Sequence, residues 1–395
     1  MLNKEDLFIR RICLNQALKD KEPITEILNS SLDWDYIFNQ ARENKALSLA
    51  YKTLLNIKNI EKIVPPDFGL ALKNAYYSTL RRNIAIFNTL ESLAPQFKNE
   101  GIDIIIFKGP VLTELIYGDI GIWPMADVDI FIKKHDLLRI DAILKNNGYS
   151  TSLNVEDFLR FNFGFYRDTF SYEHTTAMPI DIHWHIINLL PYHSSNNMIQ
   201  KIDMDKIWND SVEIKLGNTI LRTFSVYHQI ICLCLHAFKH SYKPLMLLCD
   251  INEFLQVEKE KIDEDILVEE AFNLGLSRHV YYGLYLTSQI FKTDMLQNAI
   301  NQLKPKRMSL FEKKYINSIL QGRPIFSDSY SVFLVYFGMH ESLTERFVFL
   351  RNVLFPCRKY LSFIRRKNAS SLNIREYIRR ANIGFNCIAK FLFNR

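Results

Sequence analysis

Apolar residues recur every three or four positions through the first part of the chain: Leu7, Ile12, Leu14 and Leu18, then Ile37, Ala41, Ala46, Leu49, Tyr51 and Leu54. That period predicts amphipathic helices. Val64-Pro65-Pro66 interrupts it, and a further helix over about Leu70–Phe97 restores it with Leu80, Ile84, Ile86, Leu90 and Leu93. At Gly101 the pattern changes. Ile102–Phe107 is a β-branched run bounded by glycines and predicts a buried strand. Val111–Tyr117 predicts a short helix, Gly118–Trp123 a loop, Val128–Ile132 a second strand, and Asp136–Asn147 a helix closed by Gly148. Leu153–Phe170 predicts a helix with an aromatic part (Phe158, Phe161, Phe163, Phe165, Tyr166), followed by a strand over Phe170–His174.

Met178–Ile186 alternates and predicts a third strand, with Asp181, His183 and His185 on one face and Ile182 and Trp184 on the other. Val212–Leu216 and Thr219–Thr223 flank Gly217-Asn218, a hairpin signal. Ser225 then predicts an N-cap for a helix over Val226–His240, and another helix is expected around Leu245–Val257. Helices continue to Asn301, with Pro305 and Pro324 punctuating the rest.

Composition changes this picture little. A chain of 395 residues is long for one domain, and two or three are expected. A hydrophobic content of 48% with 23% charged residues is ordinary for a globular protein and excludes a disordered class. The net charge of +6 is mild, but 11 Lys/Arg and one acid, Glu376, fall between Arg351 and Arg395. That basic tail, interleaved with Phe355, Tyr360, Phe363, Tyr377 and Phe385, is either a solvated helical face or a contact for an anionic partner: nucleic acid, nucleotide phosphate or a membrane surface. The six cysteines are scattered without a C-x-x-C, which argues against a disulfide framework or zinc site and fits a reducing cytoplasm. The N-terminal residues carry no apolar signal region, and the longest apolar runs, near Ile230–Leu235 and Val332–Met339, fall short of the ~18 residues that span a bilayer. A cytoplasmic location is expected.

The chemistry concentrates in one stretch. Asp127 and Asp129 lie two apart on a strand, so their carboxylates share a face. Carboxylates that close repel, and a divalent cation between them removes the conflict. Asp181 brings a third acid from a later strand. Such a set suits two-metal phosphoryl or nucleotidyl transfer, where two Mg²⁺ ions (or Mn²⁺) hold a triphosphate and lower the pKa of an attacking hydroxyl. The Lys108-Gly109 turn before a helix offers backbone amides and a point charge for phosphate.

With these motifs in order, the chain resembles the uncharacterised bacterial nucleotidyltransferase-like family within the polymerase-β-type superfamily. The residues that carry the resemblance are Phe107–Leu112, Tyr117, Pro124–Ile130 and Ile180–Trp184. Leu235–His240, Leu248–Asp250, Leu354–Pro356 and Tyr360 extend it over about residues 80–380. The resemblance implies an α+β fold: a small mixed β-sheet nucleotidyltransferase core, here 98–224, between a helical N-terminal region 1–97 and a helical C-terminal region 225–395 that ends in the basic tail. It implies Asp127, Asp129 and Asp181 as metal ligands and catalytic residues, and an NTP such as ATP as donor. Relatives commonly carry an arginine before the D-x-D, where this chain has Gly121-Ile122-Trp123-Pro124.

The expected activity is Mg²⁺-dependent transfer of a nucleoside monophosphate to an unknown hydroxyl acceptor (small molecule, glycan, protein or RNA), with Lys108 and Gly109 holding the nucleotide. The alternative is a nucleotide-binding regulatory protein with weak or lost catalysis. His183 is expected to hydrogen-bond beside the acids. His236 and His240 stand at i, i+4 on one helix face without the glutamate of a zincin, so structural pairing or packing against the nucleotide is expected rather than zinc. Lys239, His240 and Asp250 are candidates for substrate contacts, with Asp250 also a candidate partner for one of the histidines.

Overall fold

The computed structural model describes residues 3–14, 22–160, 168–187, 202–322, 329–340 and 343–355, with residues 378 and 382. The sequence-predicted aromatic positions 161, 163, 165 and 166 and nearly all of the basic tail lie outside these residues.

The architecture is α+β. Seven short strands form one mixed sheet: β1 (Ile104–Ile106), β2 (Val128–Ile132), β3 (Ser150–Thr151), β4 (Thr169–Glu173), β5 (Ile180–His183), β6 (Val212–Leu216) and β7 (Thr219–Thr223). Their order across the sheet is β3-β4-β5-β2-β1-β7-β6. The pairs β2–β5 and β1–β7 are parallel, and the other four are antiparallel. The centre of the sheet is covered on both faces, so β1 and β2 read as continuous apolar runs except where a polar group is built into a site; Ile105, Ile106, Ile130 and Phe131 are fully buried.

The helical region before the sheet ends in one long helix, Pro66–Asn99, of 34 residues, about 51 Å at the usual rise. Pro66 does not merely interrupt the helical period. It occupies the first helical turn, where its missing N–H costs nothing. The buried stripe runs through Leu72, Thr79, Asn83, Ile86, Leu90, Leu93 and Phe97. Ile84, expected among the apolar positions of this helix, is instead 44% exposed, because the phase of the stripe passes through Asn83.

After the sheet, Ser225 caps the helix Val226–Lys239, its hydroxyl accepting from the His228 amide, as the sequence predicts. That helix packs on Met246–Val257 and Ser277–Phe291. The hairpin β6–β7 turns at Gly217 with φ +57°, also as predicted. Among the described residues no helix is long and apolar enough to cross a membrane.

Two expectations need correction. The predicted helix Leu153–Phe170 ends, as far as it is described, at Arg160, and Thr169 already belongs to β4, which runs antiparallel to β5. The third strand stops at His183, because the β4 ladder runs out where Thr169 pairs with His183. His185 therefore leaves the strand alternation and sits on the segment that follows.

Candidate active site

Parallel pairing of β2 and β5 places Asp129 directly opposite Asp181. Asp129 is 9% exposed and Asp181 half-buried. Carboxylates side by side in a sheet interior need compensation, and two side chains supply it at Asp129. Lys108 Nζ donates to Asp129 Oδ1 at 2.6 Å, and His183 Nε2 meets the same oxygen at 2.7 Å. Burial alone would raise the Asp129 pKa, but the Lys108 charge and the His183 contact override it and hold this carboxyl far below the usual range. Burial likewise works against the Lys108 ammonium, yet Asp129, then Asp127 and Asp181, keep its pKa above the ordinary lysine value.

His183 is the element that the D-x-D pattern understates. Its Nδ1 lies 2.9 Å from Thr169 Oγ1, and Thr169 in turn donates to Asp168 at 3.1 Å. A ring held at one nitrogen presents the other in a fixed direction, the arrangement usual for metal-ligating histidines. Donor atoms of Asp129, Asp181 and His183 all lie within 4.8 Å of one another, the one such group of three among the described residues. Two carboxylates and an imidazole suit a divalent cation such as Mg²⁺ or Mn²⁺, with the imidazole favouring Mn²⁺ of the two.

Asp127 stands just before β2, half-buried and outside that group. Desolvation, then the charges of Asp129 and Asp181, push its pKa up to about 6. Its carboxyl is thus the strained partner of the three, its ionisation opposed first by burial and then by the two acids beside it.

Lys108 itself is held by backbone. It has φ 57° and ψ −127°, outside the ordinary regions for a residue with a side chain. Gly109 follows because a Cβ there would come within 2.7 Å of Met125 Cγ. The short helix Gly109–Leu112 then continues into a π turn, Thr113–Tyr117, where a plain helix was expected. Met125 belongs to the loop that precedes Asp127, and the long N-terminal helix anchors that loop. The buried Asn83 side chain donates to the carbonyls of Ile120 and Trp123. Tyr76 and Lys52 both reach the Asp119 carboxylate, at 3.0 and 2.9 Å. Trp123, in the stretch where the resemblance implies an arginine, is 7% exposed and packs as core.

A cavity opens beside the acids. Lys108, Phe107, His183 and His185 line one side and Cys232, Leu235, His236 and Lys239 the other, with Tyr336 also at its wall. The structure thus brings Lys239 to the same space as Lys108. His236 and His240 stack edge to face at 4.7 Å between ring centroids. Desolvation and then neighbouring lysine charges push both imidazoles below their ordinary pKa, so both are neutral near pH 7. His185 is pushed down to about 4 by burial and the Lys134 charge. Asp250 does not partner either histidine of the pair. It is buried on the helix Met246–Val257 and accepts from the Tyr117 hydroxyl at 3.0 Å.

Sequence reasoning missed Asn83, Thr169, Asp168 and Tyr336. Asn83 left a signal: a lone amide in the apolar stripe of a helix, where a buried polar side chain must have a partner. The others come from distant elements and leave none. Comparison with known proteins then adds one finding. A family model described as an uncharacterised nucleotidyltransferase matches residues 30–292, well over half of the chain. No curated protein matches it.

Proposed function

The chain belongs to the uncharacterised nucleotidyltransferase family, and from that premise we propose that it transfers a nucleoside monophosphate from an NTP to a hydroxyl acceptor and releases pyrophosphate. One observation carries the reading: Asp129 and Asp181 stand in register on adjacent parallel strands, with His183 completing a donor set at a cavity that also holds two lysines.

Asp129, Asp181 and His183 would hold a divalent cation, with Asp127 beside them as the further carboxylate for a second. The bound metal would supply polarisation of the phosphoryl oxygens and charge neutralisation in the transition state. Lys108 and the Gly109 turn hold the triphosphate, and Lys239 meets it from the opposite wall in place of the missing arginine. His240 and Asp250 stand further from the chemistry, His240 as an exposed neighbour and Asp250 as a support for Tyr117. Asp181 takes the proton of the attacking hydroxyl as its oxygen bonds to the α-phosphorus and the bond to the β-phosphate breaks. ATP is the first donor to test. The four described cysteines are free and buried, which supports a reducing, cytoplasmic setting.

The alternative, a nucleotide-binding regulator, draws on Trp123. Its ring packs as core where the resemblance implies an arginine, and if that arginine contacts phosphate the loop lacks the contact. Thermal-shift measurement with each NTP plus Mg²⁺ or Mn²⁺, in wild type and Asp129→Asn, tests binding. Stabilisation in the wild type and none in the variant supports the site; no shift with any NTP sinks it. Pyrophosphate release over a broad acceptor screen then separates transferase from regulator.

A further inference from the structure

We infer that Lys108 is the resident cation of the acid cluster in the metal-free protein, and that a divalent ion reaches Asp129 only by displacing the Lys108 ammonium into the cavity. This rests on the nucleotidyltransferase reading and adds a linkage between metal and nucleotide at the same site.

The argument starts at one oxygen. Asp129 Oδ1 accepts from Lys108 Nζ at 2.6 Å while also meeting His183 Nε2 at 2.7 Å. An ion held by Asp129, Asp181 and His183 would enter the space that the ammonium and the imidazole now crowd. Two cations cannot share that space, because like charges a few ångströms apart in a buried site repel strongly. One must leave, and only the lysine has a flexible stem.

The backbone gives a second, independent reason. With φ 57° and ψ −127°, Lys108 occupies a region that glycine tolerates and lysine does not. A turn alone would be served by glycine at this position. The lysine is kept in a costly conformation that aims its side chain at Asp129. Strain of this kind survives where surrounding contacts over-determine it.

The destination is also built. Lys108 lines the cavity with His183, His236 and Lys239, and its ammonium already lies 4.7 Å from the centroid of the Phe107 ring on that wall. Once displaced, it becomes a cation facing the space proposed for the triphosphate. Metal alone must therefore expel the lysine into a cavity that already holds the Lys239 cation, whereas metal with nucleotide gives that lysine a phosphate. Either ligand then favours the other, by reciprocal linkage.

The test reads metal binding directly. Mn²⁺ is titrated into nucleotide-free wild type, Lys108→Met and Lys108→Gly, with free Mn²⁺ followed by electron paramagnetic resonance and Asp129→Asn as control. Methionine keeps the stem, and glycine removes the backbone strain, so a folding failure in one variant leaves the other to decide. Loss of a charge-assisted competitor predicts Mn²⁺ binding roughly tenfold or more tighter in the Lys108 variants. A larger Mn²⁺-dependent rise in melting temperature should accompany it. Equal or weaker binding in the variants than in the wild type overturns the inference and leaves the metal site standing. Binding in none of the three at millimolar Mn²⁺ defeats the metal reading and the inference together.

Discussion

Two clusters of titratable side chains meet at one cavity, lined by Lys108 and His183 from the first and His236 from the second, and have opposite electrostatics. On the sheet, Asp127, Asp129 and Asp181 meet Lys108 and His183, and positive partners compensate the acids. At the end of the helix Val226–Lys239, His236 and the C-cap His240 are spaced just as regularly, yet lysines (Lys108, Lys239 and, for His240, Lys45) outweigh Asp129 among their charged neighbours. Asp129 is the carboxylate among those influences, and burial and the lysine charges outweigh it at both imidazoles. The sheet cluster can hold a cation; the helix pair stays neutral. Spacing made both candidates, and only the partners brought by other elements distinguish them. A pair at i, i+4 shows that two side chains share a face. It says nothing about what that face meets.

The strongest way to break this comparison is to remove the acid that organises the sheet cluster. Asp129→Ala leaves Lys108 and His183 without their shared acceptor in a largely buried place. Breaking a buried pair by deleting one partner costs about 3–5 kcal/mol. Urea unfolding of the metal-free protein should show that loss. A change below about 1 kcal/mol would mean that the cluster is solvated and that its contacts are ornamental.

A smaller effect with the opposite sign is expected at Asp127. Its pKa rises from 3.8 to about 6 in the folded chain. Between those values the folded state keeps a proton that the unfolded chain has released, so stability falls as pH rises through this window. The full shift corresponds to about 3 kcal/mol, which partial exposure reduces to about 1–2 kcal/mol. Asp127→Asn should therefore stabilise the metal-free protein at pH 7.5, with the gain fading below pH ~4. Equilibrium unfolding at several pH values checks both the sign and the window. A destabilised variant at pH 7.5 would show that Asp127 is paired rather than strained.

Much of this was legible in the chain because it is local. The apolar run Val128–Ile132 interrupted by Asp129, the Gly217-Asn218 hairpin and the Ser225 cap each depend on a few adjacent residues. The D-x-D spacing is equally local, although Asp127 stands just before β2 rather than on it. The Asp129–Asp181 register was only partly legible: the sequence names both acids but does not say that β5 lies parallel to β2. What stayed hidden depends on distance along the chain. Asn83 reaches Trp123 across 40 residues and His183 reaches Asp129 across 54. Thr169 was hidden for another reason. The aromatic-rich segment read as helix up to Phe170, so the predicted strand over Phe170–His174 missed the residue Thr169 with which β4 begins.

The smallest effect is expected on the helix side, and it sharpens the comparison most. His240 is exposed, its imidazole held below its ordinary pKa by desolvation and then by Lys239, Lys108 and Lys45. A depressed histidine binds its proton less readily folded than unfolded, so its contribution to stability is lost as pH falls below the unfolded value. Solvent screening at an exposed position keeps that loss small. His240→Gln should change stability at pH 7.5 by about 0.5 kcal/mol or less. It should slightly flatten the acid limb of the stability curve, since glutamine has no proton to gain. Mn²⁺ affinity should stay within about twofold, because the imidazole has no oriented partner of the kind that fixes His183 through Thr169. If His240→Gln instead weakens Mn²⁺ as Asp129→Asn does, the helix pair supplies a ligand, and the division between an ion-holding sheet and a neutral helix fails.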